Sequence, residues 1–197
     1  STDETVSILK EYPHLQWVSE PDKGMSDGIN KGWRQATGDW VMWLNTDDYL
    51  LPGALARVAA FARQRPEADV IYGDCLFVNE RKEPIRRKYE HPFDFGILLF
   101  FGCYIPPTST FVHRRVINAG HLLDVDYRVC MDFEYYVRLH LAGMKFDYLP
   151  APLAGFRWHE TNTSSVHVAR RREERLKVQR WALEKLNRRW LQSEALL

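Results

Sequence analysis

Apolar positions along the chain switch repeatedly between helical and extended spacing. Val6, Ile8 and Leu9 predict a short helix over residues 5–12, and residues 15–18 read as a strand before the Glu20-Pro21 turn. A second turn and short helix occupy residues 20–32, and the short apolar run 40–44 reads as a buried strand. Leu55, Val58, Ala59 and Ala62 then place an amphipathic helix over 54–65, after Pro52, and residues 68–72 form a strand. That βαβ alternation predicts an α/β fold with a mainly parallel, Rossmann-like sheet and flanking helices. Residues 76–79 and 85–89 pair as a hairpin around the charged turn 80–83, with Asp74 as a turn residue after the strand. Further on, 116–120 is a helix with a Gly stop. Phe133, Tyr136, Val137 and Leu141 put another helix just after Asp132. The end of the chain is rich in Arg and Lys over 169–190, with Leu176, Leu183 and Trp190 seven apart and Trp181 and Leu186 nearby, which predicts a basic amphipathic helix.

Chemistry first enters where the run 40–44 ends in Asn45, Thr46, Asp47 and Asp48. The end of a strand is where open α/β sheets bind ligands, and two adjacent carboxylates there call for a cation. A hard divalent ion satisfies them, because Mg²⁺ takes one or two carboxylates and leaves its other positions to water and phosphate oxygens. The competing reading is a helix N-cap for the helix that opens near Pro52. Upstream, Glu20-Pro21-Asp22-Lys23-Gly24 leads through Gly28 to Asn30-Lys31-Gly32, and Ala36-Thr37-Gly38-Asp39 turns into the carboxylate-tipped strand. Gly24 and Gly28 give the backbone room there.

This ordered set resembles the nucleotide-sugar half of the GT-A glycosyltransferases, specifically glycosyltransferase family 2, over about the first 165 residues. The resemblance implies a GT-A domain at 1–165, followed by the basic helix at 166–197. It also implies an inverting transfer of a sugar from a UDP-, GDP- or TDP-sugar to a saccharide or lipid-linked acceptor, in cell-surface polysaccharide or glycolipid synthesis. Asp47 and Asp48 would hold Mg²⁺ or Mn²⁺ on the donor diphosphate, with Asp48 the direct ligand, and Asp22, Lys23, Gly24 and Asn30 would border the nucleotide. The opening Ser1-Thr2-Asp3-Glu4-Thr5 resembles the turn after the family's second strand. On that pattern the first strand, first helix and second strand are expected to be missing, and the expectation is an N-terminally truncated fragment, with a mis-started reading frame or a sheet completed some other way as the alternatives.

The second half supplies the acceptor side of the resemblance. Pro106-Pro107-Thr108-Ser109 is similar to a family segment that lines the acceptor cleft, which makes Ser109 an acceptor residue. Asp132 matches the family's base, which takes the proton of the attacking acceptor hydroxyl. An N-cap is the alternative reading of Asp132, and Glu134 is the runner-up base and an acceptor contact. Met131 stands where many relatives carry Glu. Phe156-Arg157-Trp158-His159, with Ser164 beyond, is similar to the loop that closes over the pyrophosphate. Arg157 would there neutralise the diphosphate, and His159 would serve the diphosphate or the metal.

Composition narrows this picture. With 45% hydrophobic residues in 197 the chain can bury a substantial core, and a net charge of +1 argues against a nucleic-acid partner. The three cysteines lack paired spacing, so neither a zinc site nor a disulfide framework is expected. With no run near about 20 apolar residues and no charged-then-apolar leader, the expectation is a cytoplasmic protein. It would be peripheral at the inner membrane face if the 166–197 helix attaches to anionic lipid. The reading set against it, and placed first, is a solvated helix packed on the domain. A sheet edge left open by missing strands would favour a homodimer. Two other functions stay open, a GT-A-like nucleotidyltransferase and a catalytically inactive fragment that acts as a binding or membrane-associated module.

Overall fold

The computed structural model describes residues 2–160, 162 and 166–194, with side chains through 187 in the last helix. Thr161, Thr163 and Ser164 of the C-terminal loop and the side chain of Trp190 lie outside the described residues. In chain order the elements are α1 (Thr5–Lys10), α2 (Met25–Gln35), β1 (Trp40–Val41), β2 (Tyr49–Leu50), α3 (Ala54–Gln64), β3 (Val70–Val78) and β4 (Pro84–Lys88). They continue with β5 (Thr110–His113), α4 (Arg114–Asn118), α5 (Met131–Leu141), β6 (Phe146–Arg157) and α6 (Val168–Glu194). A single π-helical turn, Ile97–Phe101, and a 3₁₀ turn, Pro107–Ser109, lie between β4 and β5.

The strands form one sheet in the order β1-β5-β3-β6-β2, with β4 also paired to β3. Among the described residues only β3 and β6 run parallel; β1 with β5, β3 with β5, β3 with β4 and β2 with β6 are antiparallel. The sheet is therefore not mainly parallel, although the α/β layering holds. The helix at 54–64 does carry the chain to β3, but β1 does not lie beside β3. A later strand, β5, is inserted between them, and local periodicity does not report which strands pair.

Other elements differ from the sequence pattern for the same reason. Residues 15–18 form no ladder, and Leu15, Trp17 and Val18 are exposed, because an extended segment without a paired neighbour is not a strand. The strand read at 68–72 runs on to Val78. That extension makes Asp74 a buried strand residue instead of a turn residue. Its carboxylate accepts from Arg87 Nη2 (2.6 Å), the Tyr148 hydroxyl (2.6 Å) and Glu90 N (2.9 Å). Those donors outweigh burial and leave Asp74 below the usual carboxylate range.

The main core lies between the sheet and α5, whose Phe133, Tyr135, Tyr136, Val137 and Leu139 are all buried. Trp33 of α2 joins it, packing on Trp43 and Tyr135 at ring separations of 5.5 and 5.6 Å. From α6, Val178 and Ala182 enter the same core, so this helix packs on the domain. Leu176 and Leu183, the expected seam, are instead exposed on its outer face. All three cysteines are free, and burial pushes the Cys75 and Cys130 thiols up to about 11 and about 12. No helix among the described residues is long and apolar enough to cross a membrane.

Candidate active site

The site begins where β2 pairs with the end of β6, Tyr49 opposite Gly155. A Cβ at position 155 would sit 2.4 Å from the Tyr49 ring, so glycine is what lets the two strands approach. This pairing fixes the Asn45–Asp48 turn against β6 and sends the two carboxylates in different directions. Asp48 is buried: its Oδ1 accepts the Arg157 N–H at 2.9 Å and its Oδ2 accepts Asn45 Nδ2 at 3.1 Å. Burial raises its pKa, against the opposing pull of the Arg157 N–H. Asp47 faces outward, with its Oδ2 2.9 Å from His159 Nε2. A side chain that sequence reading gave no role, Asn162, shapes the turn beyond β6. Its Oδ1 accepts the His159 N–H at 2.8 Å and its Nδ2 donates to Arg157 O at 3.3 Å.

Asp47, His159 and Asn162 share a cavity of about 370 Å³ with Asp132, although residues 47 and 132 are far apart in sequence. Asp132 lies in the first turn of α5 and its Oδ1 accepts the Phe133 N–H at 2.8 Å. The helix begins after Cys130, so Asp132 is not its N-cap. Burial pushes the Asp132 carboxyl up from its usual range. A raised pKa makes it a stronger base, which is the direction proton abstraction requires.

The walls contain residues that sequence analysis missed. Phe156 and Trp158 alternate to one side of the β6 end and pack on Phe77 at 5.2 and 5.9 Å, forming an aromatic wall. Lys88 of β4 also lines the cavity, tethered to Glu90 Oε1 at 2.5 Å and to Tyr104 O. Arg128 lines it too and donates to Lys23 O. Arg128 explains Gly24: that residue has φ +118°, and a Cβ there would lie 1.7 Å from the Arg128 guanidinium. Isolated basic residues such as Lys88 and Arg128 carry no motif, and only the backbone room read at Gly24 hinted at a close approach.

Several predicted site residues fall elsewhere. Asn30 is buried, donating to Leu123 O at 2.8 Å and accepting from Leu123 N at 2.9 Å, so it fastens a loop and does not border a ligand. Glu134 is buried and bound to Arg138 Nε at 2.6 Å, which removes it as a base or acceptor contact. Ser109 is fully buried, its hydroxyl donating to Asp74 O at 3.0 Å, and Pro106 and Pro107 line the cavity in its place. Arg157 contributes its backbone N–H to Asp48, and strand alternation turns its side chain away from the Phe156–Trp158 wall. Asp22 lies on a separate cleft of about 370 Å³ with Gly28 and Lys31, and its Oδ1 accepts the Gly24 N–H at 2.7 Å. Lys23 is exposed, and its backbone ties this turn to Asp27 and Arg128.

One carboxylate and one imidazole, held together at a cavity wall, fit a divalent ion that draws its remaining ligands from phosphate and water. Among the described residues no group of three or more His, Cys, Asp or Glu forms a closed metal cage. His159 Nε2 also lies 3.2 Å from Asn162 Nδ2, so a proton on Nε2 serves the Asp47 carboxylate, whereas a bare Nε2 serves the Asn162 amide or an ion.

Comparison with known proteins agrees with this architecture. Residues 1–128 match the model of glycosyl transferase family 2, and the chain belongs to that family. A PGL/p-HBAD biosynthesis glycosyltransferase of Mycobacterium bovis is 31% identical over 144 residues, which span 70% of this chain and 54% of the relative. The amylovoran biosynthesis glycosyltransferase AmsB of Erwinia amylovora is 28% identical over 71% of this chain and 48% of its own length. The chain thus spans about half the length of these curated relatives. Among solved structures, S. aureus TarS 1–349 in complex with UDP-GlcNAc superposes with a TM-score of 0.66 at 18% identity, covering 84% of this chain and 49% of that one. The mixed α/β fold is accordingly of the GT-A class.

Proposed function

We propose that the chain carries the catalytic cleft of an inverting, divalent-metal-dependent glycosyltransferase that uses a nucleotide-diphosphate sugar. The observation that carries this reading is the presence of the Asp47–His159 pair and Asp132 in one cavity. Asp47 and His159 would hold Mg²⁺ or Mn²⁺. Bound there, the ion would offset charge developing on the departing diphosphate. Asp48, beneath them, orients the turn through Arg157 N and Asn45. The aromatic wall of Phe156 and Trp158 offers an apolar face to a sugar ring and excludes water beside it.

Asp132 would accept the acceptor hydroxyl's proton as that oxygen attacks the anomeric carbon on the face opposite the leaving group. Attack from that face inverts the anomeric configuration. TarS binds UDP-GlcNAc, which supports UDP as the nucleotide to try first. The biosynthetic names of the relatives support a glycolipid or polysaccharide acceptor. The exposed Leu176 and Leu183 beside the basic residues of α6 support peripheral contact with an anionic membrane.

The test is release of nucleoside diphosphate from a panel of UDP-, GDP- and TDP-sugars, with the product anomer read by NMR. The reading requires release from at least one donor, inverted product and loss of both in Asp132→Asn. Retention of configuration would refute the inverting assignment.

A further inference from the structure

A second cavity, of about 500 Å³, opens beside the first between α6 and the segments at Gly102-Cys103 and Val129-Cys130. Cys103, Val129 and Asp132 line both, so the two spaces meet at the carboxylate assigned as base. Their chemistry differs. The first holds the Asp47–His159 pair, whereas the second is faced by Arg171, Arg172 and Arg175 from successive turns of α6.

Arg175 is held in place by the fold, whereas Arg171 and Arg172 lie exposed at the cavity rim. Arg175 Nη2 donates to Phe100 O at 2.7 Å. Glu174, between them in sequence, points into the protein and accepts the backbone N–H groups of Val129 and Cys130, each at 2.9 Å. Its charge is also met by Arg170 Nε at 2.7 Å, so it does not neutralise the cavity. The remaining carboxylate on this lining is Asp132 itself.

We propose that this arginine-lined cavity is an acceptor subsite for a phosphate group, a proposal that rests on the reading of Asp132 as the base. Guanidinium forks match phosphate oxygens in pairs, and three of them favour a multiply charged group over a neutral sugar. Repulsion from Asp132 keeps the anion at the arginine end, which leaves the acceptor's hydroxyl to reach Asp132. The donor diphosphate belongs to the other cavity, with Asp47 and His159, so the arginines are not needed for the leaving group. The phosphate is either that of a soluble sugar phosphate or the headgroup of a lipid-linked acceptor.

The experiment is calorimetric titration of glycerol 3-phosphate into the full chain in the presence of UDP and Mn²⁺, beside sedimentation with phosphatidylcholine vesicles with and without phosphatidic acid. Arg172 is exposed, so Arg172→Gln removes charge without disturbing the core, and Arg175→Lys keeps a charge but loses the fork. The expected result is saturable binding to glycerol 3-phosphate, to phosphatidic acid vesicles or to both, weakened about tenfold in Arg172→Gln. Binding of the vesicles alone identifies a lipid-borne phosphate, and binding of the soluble phosphate alone a free one. No saturable binding of either, or binding equal in wild type and both variants, overturns the proposal. UDP affinity, measured separately, reports on the donor site. Its absence would refute the donor reading while the arginine dependence of phosphate binding is still read without UDP.

Discussion

The Glu174 carboxylate of α6 accepts the Cys130 backbone N–H at 2.9 Å, two residues before Asp132. It also accepts the N–H groups of Arg128 and Val129, so one side chain of the C-terminal helix closes the loop that forms a cavity wall. Truncating it strands three backbone donors and the Arg170 charge. Glu174→Ala is expected to cost about 3 kcal/mol in urea unfolding and to raise the acceptor KM more than the donor KM. Burial raises the Glu174 pKa, but Arg170 and the backbone donors more than reverse this and leave it below 4.5. Its stabilisation is therefore present above pH 4.5 and lost as pH falls through the folded value, and an acid-unfolding curve that is steep in wild type should flatten in the variant.

Asp132 behaves in the opposite sense. Burial raises its pKa above 3.8, so the folded chain holds that proton more tightly than the unfolded one. Stability from this group is complete below 3.8 and lost as pH rises through the folded value. Asp132→Asn is expected to cut turnover by about 10²–10⁴-fold and at the same time raise Tm at neutral pH. The acidic limb of the wild-type pH–rate profile, where activity climbs as Asp132 deprotonates, should disappear from any residual activity. A variant that loses both activity and Tm would indicate a structural role instead.

Adjacent carboxylates with different partners should separate in mutagenesis. Asp48→Ala leaves the buried Arg157 N–H without its acceptor and is expected to destabilise by about 1–3 kcal/mol. Asp47→Ala, at the cavity wall, is expected to change Tm little and to affect metal-linked binding instead. Thermal melts of the two variants at fixed pH, with and without Mn²⁺ and UDP, distinguish the roles.

Gly24 has φ +118° and ψ −178°, a conformation that residues with a side chain rarely adopt. Gly24→Ala is expected to cost about 1–3 kcal/mol and to push Arg128 off the Lys23 carbonyl. Differential scanning calorimetry of this variant beside Gly53→Ala separates backbone strain from the steric clash. Position 53 also has positive φ but open space around it.

Much of this arrangement was legible in the sequence because it rests on local signals. The run ending at Asp47-Asp48, the α5 periodicity beginning at Asp132 and the Arg157–His159 segment after a strand each bring one residue, Asp47, Asp132 and His159, to a common cavity. What the sequence did not carry is the direction in which each side chain points. Nothing in two neighbouring aspartates says that Asp48 is covered by Arg157 N while Asp47 meets His159. Asn30 and Ser109 read as ligand contacts because polar residues in motifs are ambiguous, and each proved to satisfy buried backbone groups of Leu123 and Asp74. The sheet's antiparallel share was hidden because pairing partners such as β1 and β5 lie far apart in the chain. The α6 seam shifted from Leu176 and Leu183 to Glu174, Val178 and Ala182, since heptad spacing does not say which stripe of a helix meets the core.

The most direct measurement is calorimetric titration of UDP into the full chain with Mn²⁺ and with EDTA, in wild type, Asp47→Ala and His159→Ala. Saturable binding is expected in Mn²⁺ and should weaken sharply in EDTA, while both variants should bind weakly and no longer respond to the metal. UDP binding of equal strength in Mn²⁺ and EDTA, unaffected by either substitution, would contradict a metal site at Asp47 and His159.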